Sequence, residues 1–565
     1  MYFAMKNTKR FLAFISLALL TTAPIDVQAG SMTLYSEWGD EIWCEDQCVA
    51  MNTLKNESSM LGDGPVTIRL DEDLAVSETF DFSWIDRDIT LDLNGNTLVC
   101  DERADWFSDE LLNIELQDGH SFTLQDGSVT GAKSKGAVRI AAGQRVTVKN
   151  VTFENNRCDG TLGDLWEGDV GGAIRCNSNI KLVGCTFRNN SCTTHGGAVG
   201  IYSNDYQSRF VIENCTFENN TADEAGGALF LGCSGRIQNT TITGNTVMGR
   251  EDGATEGQNE TTSGQGGGVY LTRHGGVAFG DESEGFWWGR FEGPTIMIEE
   301  GVEITGNTAA QNPMANAQTN NLYLSRSSEN SYNNAAVMVS GDTRAKTRVG
   351  LTLSNEADVF TRTLSEEGGE WLTDDDDYSS WFFGDRSNLV PVYDAGNGLM
   401  RLNFRLPDGG AVKCRAESAE AAIEKCMFSP ADEVTNMLSE SDKAAYETMF
   451  TPVATSTGEN TWSVKFELTE AATNALLETV NEAQTAVIEA MTDPDATTAT
   501  VAARPGFFYA IEYGSDPGLG ANTEGQMATG NSIDLTKPDL HAASGFFRVK
   551  VSPAKIEPIS IQQAN

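Results

Sequence analysis

Two phrases of alternating apolar and polar residues recur along the middle of the chain. The first reads Val-Thr-Phe-Glu-Asn-Asn at 151–156, Cys-Thr-Phe-Arg-Asn-Asn at 185–190 and Cys-Thr-Phe-Glu-Asn-Asn at 215–220. Shorter copies, Thr-Ile-Thr-Gly-Asn and Glu-Ile-Thr-Gly-Asn, stand at 241–245 and 303–307. The second phrase is a glycine pair followed by apolar residues. It starts at Gly171-Gly172, Gly196-Gly197, Gly226-Gly227 and Gly266-Gly267, with an eroded copy at Asn320-Asn321-Leu322. From the closing Asn of one phrase to the next Gly pair is 6 residues, at 190→196 and at 220→226. Each phrase predicts a short strand ended by turn residues. Strands this short cannot bury a face alone, so a repeat of this period predicts coils stacked into a continuous core.

The expected fold is therefore mainly β: a right-handed parallel β-helix, a solenoid, followed by a short helical segment and a small C-terminal β module. Phe153, Phe187 and Phe217 should stack inside the coils. Asn156, Asn190 and Asn220, with Asn245 and Asn307 in the shorter copies, should hydrogen-bond up and down the stack at one corner. The Gly pairs should supply positive φ at another corner, where a Cβ would clash. Strand patterns at 89–98, 122–127 and 146–153 extend the helix N-terminally, and those at 336–339, 349–353 and 399–404 extend it C-terminally. The expected division is a signal peptide at 1–29, an N-terminal cap at 30–80, the β-helix at 81–405, a mixed strand and helical segment at 406–496, and a β module at 497–565.

Those alternating Gly-Gly-Ala-(Ile/Leu/Val) and Phe-x-x-Asn phrases resemble the repeats of polymorphic outer membrane (Pmp) proteins. The resemblance covers about 150–325 and is tightest at 215–229. It implies a secreted or surface-displayed β-helix, often an adhesin. Autotransporters of that family end in a membrane β-barrel. Here the last part of the chain instead shows helical patterns at 417–425 and 470–491, and no run of ten-residue alternating strands follows. The phrases at 349–353 and 374–378 look like the segment that closes similar β-helices in exported bacterial proteins, and 497–555 resembles a small β module found at their tails.

The extreme N-terminus speaks for export. Lys6, Lys9 and Arg10 precede an apolar run from Phe11 to Leu20, and Val27-Gln28-Ala29 has the small residues of a cleavage site. Cleavage is expected after Ala29, leaving no transmembrane segment in the mature chain. Acidic residues number 81 against 39 basic, for a net charge of −42. That charge argues against nucleic acid as a partner, because phosphate contacts need clustered Lys and Arg.

Candidate chemistry concentrates where the coils are interrupted. From Asn156 to Gly171 is 15 residues and from Asn245 to Gly266 is 21, against 6 in the compact coils. Insertions in a solenoid are often its binding face. The first carries Asp164, Trp166, Glu167 and Asp169. The second carries Glu251 and Asp252. A third long stretch, between Gly267 and Ile304, holds Phe286, Trp287 and Trp288. The aromatics are candidate contacts for a host or neighbouring-cell surface protein or glycan. The carboxylates are candidate ligands for calcium, the one cofactor the composition suggests. Bound calcium beside a basic residue would suit a polysaccharide lyase, and paired carboxylates a glycoside hydrolase. Only four His exist, and aspartates mostly sit beside turn glycines. The reading is thus an exported, cell-surface or outer-membrane-associated binding protein. The lyase or hydrolase and a structural envelope component are the alternatives. His195, next to a Gly pair, reads as a surface corner residue.

Eleven cysteines complete the inventory. Cys185 and Cys215 occupy the same position in successive coils. A spacing near ~4.8 Å lies within the roughly 4.4–6.8 Å Cα range of disulfides. Bridged coils and stacked free thiols are both open, as is a local Cys414–Cys426 bridge.

Overall fold

A computed structural model of the protein describes residues 30–56, 61–101, 110–159, 170–202, 208–249, 264–272, 294–325, 334–339, 347–354, 357–361, 380–394, 399–493, 495–514, 521–522, 525–536 and 546–553. The chain forms two compact units, Met1–Phe230 and Leu231–Asn565. The predicted signal peptide lies outside the described residues.

In the first unit three stacks of parallel strands run in register. One stack is Val66–Leu70, Ile89–Asp92, the first halves of Ser121–Thr130 and Arg145–Glu154, Asn179–Val183 and Arg209–Glu213. The second is Leu74–Val76, Thr97–Cys100, the second halves of the two long strands, Thr186–Arg188 and Thr216–Glu218. The third is Phe80–Asp81, Leu112–Ile114, Val138–Ile140, Ile174–Cys176 and Val199–Ile201. In the first two stacks, alternate residues point inward, as the burial of Ile180 and Leu182 beside half-exposed Lys181 shows.

The expected ladders are present. Phe153 and Phe187 stack at 4.9 Å between ring centroids, Phe187 and Phe217 at 4.7 Å, with ring planes nearly parallel. Each such pair adds about 0.5–1.5 kcal/mol beyond its buried area. The Oδ1 of Asn190 accepts from the Asn156 N–H (3.1 Å) and Nδ2 (3.0 Å), and Asn220 does the same for Asn190 at 3.0 and 2.9 Å. The Nδ2 of Asn190 also donates to the Phe153 carbonyl. These amides are completely buried, and the ladder satisfies donors and acceptors that burial would otherwise orphan. In the glycine pair at 196–197, Gly196 has φ +69° and a Cβ on Gly197 would collide with the Gly227 carbonyl.

Parallel stacking begins at Val66, so the expected cap boundary of 80 moves forward. The 66–70 and 74–76 strands alternate like later ones, but no Phe or Gly-Gly phrase marks them. The cap is the strand Met32–Tyr35, antiparallel to both Val66–Leu70 and Glu41–Cys44, plus the helix Gln47–Asn56. It covers an edge that would otherwise be free to pair.

The second unit also starts with three stacks of parallel strands. Ser234–Gln238, Thr295–Ile298 and Ala336–Val339 form one; Thr241–Thr243, Glu303–Thr305 and Arg348–Leu353 another; Val269–Leu271 and Leu322–Leu324 a third. Phe382–Gly384 pairs parallel with residues 349–351. There the helical stacking stops, short of the expected 405. Leu399–Leu406 is antiparallel to Leu389–Asp394, because apolar alternation alone does not distinguish parallel from antiparallel pairing. The helix Glu470–Thr492, capped by Thr469, covers the range expected for it. Its buried Leu476, Ala483 and Val487 share one hydrophobic core with Phe404, Tyr446, Val501, Tyr509 and Val549. The segments expected to divide at 496/497 therefore pack as one body.

Candidate functional site

Each coil that carries both repeat phrases turns between the ladder asparagine and the glycine pair. In the first unit that turn opens with a two-residue strand: Arg157–Cys158, Ser191–Cys192 and Thr221–Ala222, paired in parallel. In the compact coils it then needs only Thr193-Thr194-His195 or Asp223-Glu224-Ala225 to reach the glycines. Residues 160–169 are inserted at this step, between Asp159, whose N–H donates to the Ser134 carbonyl, and buried Val170. In the second unit residues 250–263 are inserted at the same step of their coil. Their flanking Gly249 and Gly264 both lie against Ala310 and Gln311, so this insertion leaves and re-enters at one point. Residues 273–293 join Val269–Leu271 to Thr295–Ile298, at a different step.

The named candidates Asp164, Trp166, Glu167, Asp169, Glu251, Asp252, Phe286, Trp287 and Trp288 all lie outside the described residues, as does the acidic run at 374–377. Among the described residues no three His, Cys, Asp or Glu side chains stand where they could hold a metal ion together.

His195 is not a surface residue. It is 2% exposed, with Nε2 3.4 Å from Glu224 Oε2 and its ring stacked on Phe230 at 4.6 Å. The tight glycine turn folds the corner inward, and the next coil closes over it.

The cysteines stand as thiols. Cys185 and Cys215 are hydrogen-bonded neighbours, and that bond together with burial pushes the Cys215 thiol up. Cys158 and Cys192 form a second pair of neighbours, in direct register. The sequence had marked only the column before Phe; the second follows the ladder Asn by two residues, a repeat legible in hindsight. Burial pushes Cys176 up to about 12, and Cys426 likewise. Buried, protonated thiols pack as small apolar groups and are poor nucleophiles.

Carboxyls follow the same structural logic. Asp385 receives the end of the ladder in the second unit, where Asn245 bonds Asn307 and Asn307 bonds Asn321. The Asn321 N–H and Nδ2 donate to Asp385 at 2.7 and 2.5 Å, and Thr352 adds its hydroxyl at 2.7 Å. Burial pushes the Asp385 carboxyl up despite these bonds. Asp408 is raised by burial too, in the turn before Ala411–Arg415 and beside Tyr446. Partial burial alone would raise Asp81, but hydrogen bonds from Ser83, Asn113 and Lys55 outweigh it and hold that carboxyl at about 2.

Three exposed indoles, Trp38, Trp43 and Trp84, stand with Phe546 as the large aromatics exposed among the described residues. Sequence alone did not single them out as contacts, because isolated Trp is usually buried.

No helix among the described residues is long and apolar enough to cross a membrane. No curated protein and no solved structure matches the chain. The family model of the right handed beta helix region matches residues 112–280. With its in-register parallel stacks, the Phe ladder at 153–217 and the Asn ladder at 156–220, that part of the chain is a right-handed β-helix.

Proposed function

We propose that this is an exported, cell-surface β-helix protein of the Pmp-repeat kind, associated with the bacterial surface or outer membrane, that binds a host or neighbouring-cell protein or glycan. The observation that carries this reading is the placement of the insertions. Three residues suffice for the turn in the compact coils, while 160–169 and 250–263 are added at that same step without interrupting the asparagine ladder of their own unit. Chain added there serves no need of the coil, so its acidic and aromatic residues are free for recognition. The aromatics Trp166, Phe286, Trp287 and Trp288 supply contact area. The carboxylates Asp164, Glu167, Asp169, Glu251 and Asp252 supply polar contacts or a calcium site.

Replacing 250–263 and 273–293 by short Gly-Ser linkers tests the reading. Glycan and host-protein arrays, with and without calcium, should show binding by the parent that the shortened protein has lost. Equal binding by both refutes the assignment to these segments. Release of unsaturated or reducing ends from acidic polysaccharides would favour the lyase or hydrolase instead.

A further inference from the structure

Ten non-glycine residues among those described have positive φ. Nine are Asn or Asp, the types that tolerate this conformation, and the tenth is Trp84, at φ +63°. A bulky side chain here is strained, and residues held in such conformations by the surrounding structure cluster at functional sites. Burial does not retain the indole, because the Trp84 side chain is 74% exposed. Nor does the backbone need an indole. The Trp84 N–H donates to Glu115 O at 3.0 Å, and its carbonyl accepts from Gln117 Nε2 at 3.1 Å. A glycine would make both bonds without strain.

A second exposed indole, Trp38, is linked to the loop of Trp84 through Gly62 and Arg87. Trp38, 77% exposed, tips the turn between Met32–Tyr35 and Glu41–Cys44. Its pyrrole edge lies over Gly62, where a Cβ would stand 3.3 Å from Nε1. The Gly62 carbonyl accepts from Arg87 Nη1 at 2.8 Å, and Arg87 is three residues beyond Trp84 on the same loop. The loops that carry the two indoles are thus joined through the Arg87–Gly62 bond. The charged neighbours are mostly acidic, the exceptions being His120, 3.7 Å from Asp88, and Arg139, paired with Glu115. Glu37 and Asp40 flank Trp38, Asp63 follows Gly62, and Asp86 and Asp88 follow Trp84, all exposed. The one arginine of this loop does not offset them at the surface. Arg87 is 4% exposed and is spent on Gly62 and on Asp86, whose Oδ1 lies 3.7 Å from Nη2.

We propose that these joined loops dock a cationic segment of a partner protein, seating its guanidinium or ammonium groups against Trp38 and Trp84 and among these carboxylates. Indole faces attract cations through the ring quadrupole, and the carboxylates supply matching charge and steering. An anionic partner is repelled here. Indoles that project from turns at such high exposure suit an extended peptide. This site shares no residue with the inserted segments, so its test is independent of theirs.

The probes are octa-arginine and octa-lysine peptides and neutral chitohexaose, titrated against the full chain at physiological ionic strength. Substituting W38A/W84A keeps the net charge, so general attraction to an acidic protein is held constant. We expect roughly tenfold weaker peptide binding by W38A/W84A, with arginine affected more than lysine. W84G should melt at or above the parent temperature, which shows that the indole is not there for the fold. Peptide binding that is equal in parent and W38A/W84A overturns the proposal, leaving only general charge attraction. Loss of chitohexaose binding with peptide binding unchanged also overturns it, in favour of a neutral glycan.

Discussion

The doubled asparagine of the repeat phrase does two different jobs one residue apart. Asn155, Asn189 and Asn219 take φ of 56°, 54° and 56° and turn the chain. Asn156, Asn190 and Asn220 follow, buried, and carry the ladder. The predicted consequences separate cleanly. N189G should change stability by less than about 1 kcal/mol, since glycine adopts that φ freely. N190A should cost about 1–3 kcal/mol for each group it orphans, among them the Asn156 N–H and the Phe153 carbonyl. F187A removes the middle ring of the aromatic stack and should cost about 3–5 kcal/mol. Urea unfolding of the three variants checks the order; an N189G as damaging as N190A would contradict the division of labour.

At the scale of the element, the ends of the coils matter more than their middles. An asparagine ladder needs a final acceptor, and Asp385 is one, taking both bonds that Asn321 sends on. Because its carboxyl is raised in the folded state, its stabilising, protonated form is fully present below the unfolded value of about 3.9. That stability is lost as pH rises through the folded value. D385N removes the buried charge and keeps one of the two accepting oxygens. It should therefore melt higher than the parent at neutral pH, with the two converging in acid. Asp81 behaves in the opposite sense. Its carboxyl is held at about 2, so its stabilisation is present above the unfolded value and lost as pH falls through about 2. D81N should melt lower than the parent at neutral pH, and that deficit should close in strong acid. Thermal melts of both variants across this range would expose an error in either sign. The Asp385 carboxylate was not legible beforehand, because its partner Asn321 is 64 residues away in sequence and sits in an eroded repeat. The Asn and Phe ladders were legible, because each copy repeats the same residue at the same step.

For the whole molecule, burial decides which chemistry survives. Ten of eleven cysteines are buried or half-buried, and Cys48 alone is exposed. Alkylation of the native, unreduced protein should mark Cys48 first. Alkylation after unfolding, still without reductant, should mark all eleven; fewer would reveal bridges, with Cys185–Cys215, Cys158–Cys192 and Cys414–Cys426 the pairs to examine. Linker replacement of 250–263 should leave the melting temperature within a few degrees of the parent, since Gly249 and Gly264 already meet at Ala310 and Gln311. A collapse of stability would mean that the segment belongs to the core.

What the sequence determined by itself was the coil: its phrases, its ladders and its glycine corners. Each is a local pattern repeated at a fixed step, and stacking only multiplies it. Tertiary structure alone decided what depends on distant chain. It placed the first coil at Val66 and ended the stack near Gly384. It merged the C-terminal segments around one core, and turned His195 inward onto Glu224 and Phe230. It also left Trp84 outside in a strained backbone. Burial, pairing direction and backbone strain are properties of neighbours in space, and a repeat pattern records only neighbours along the chain.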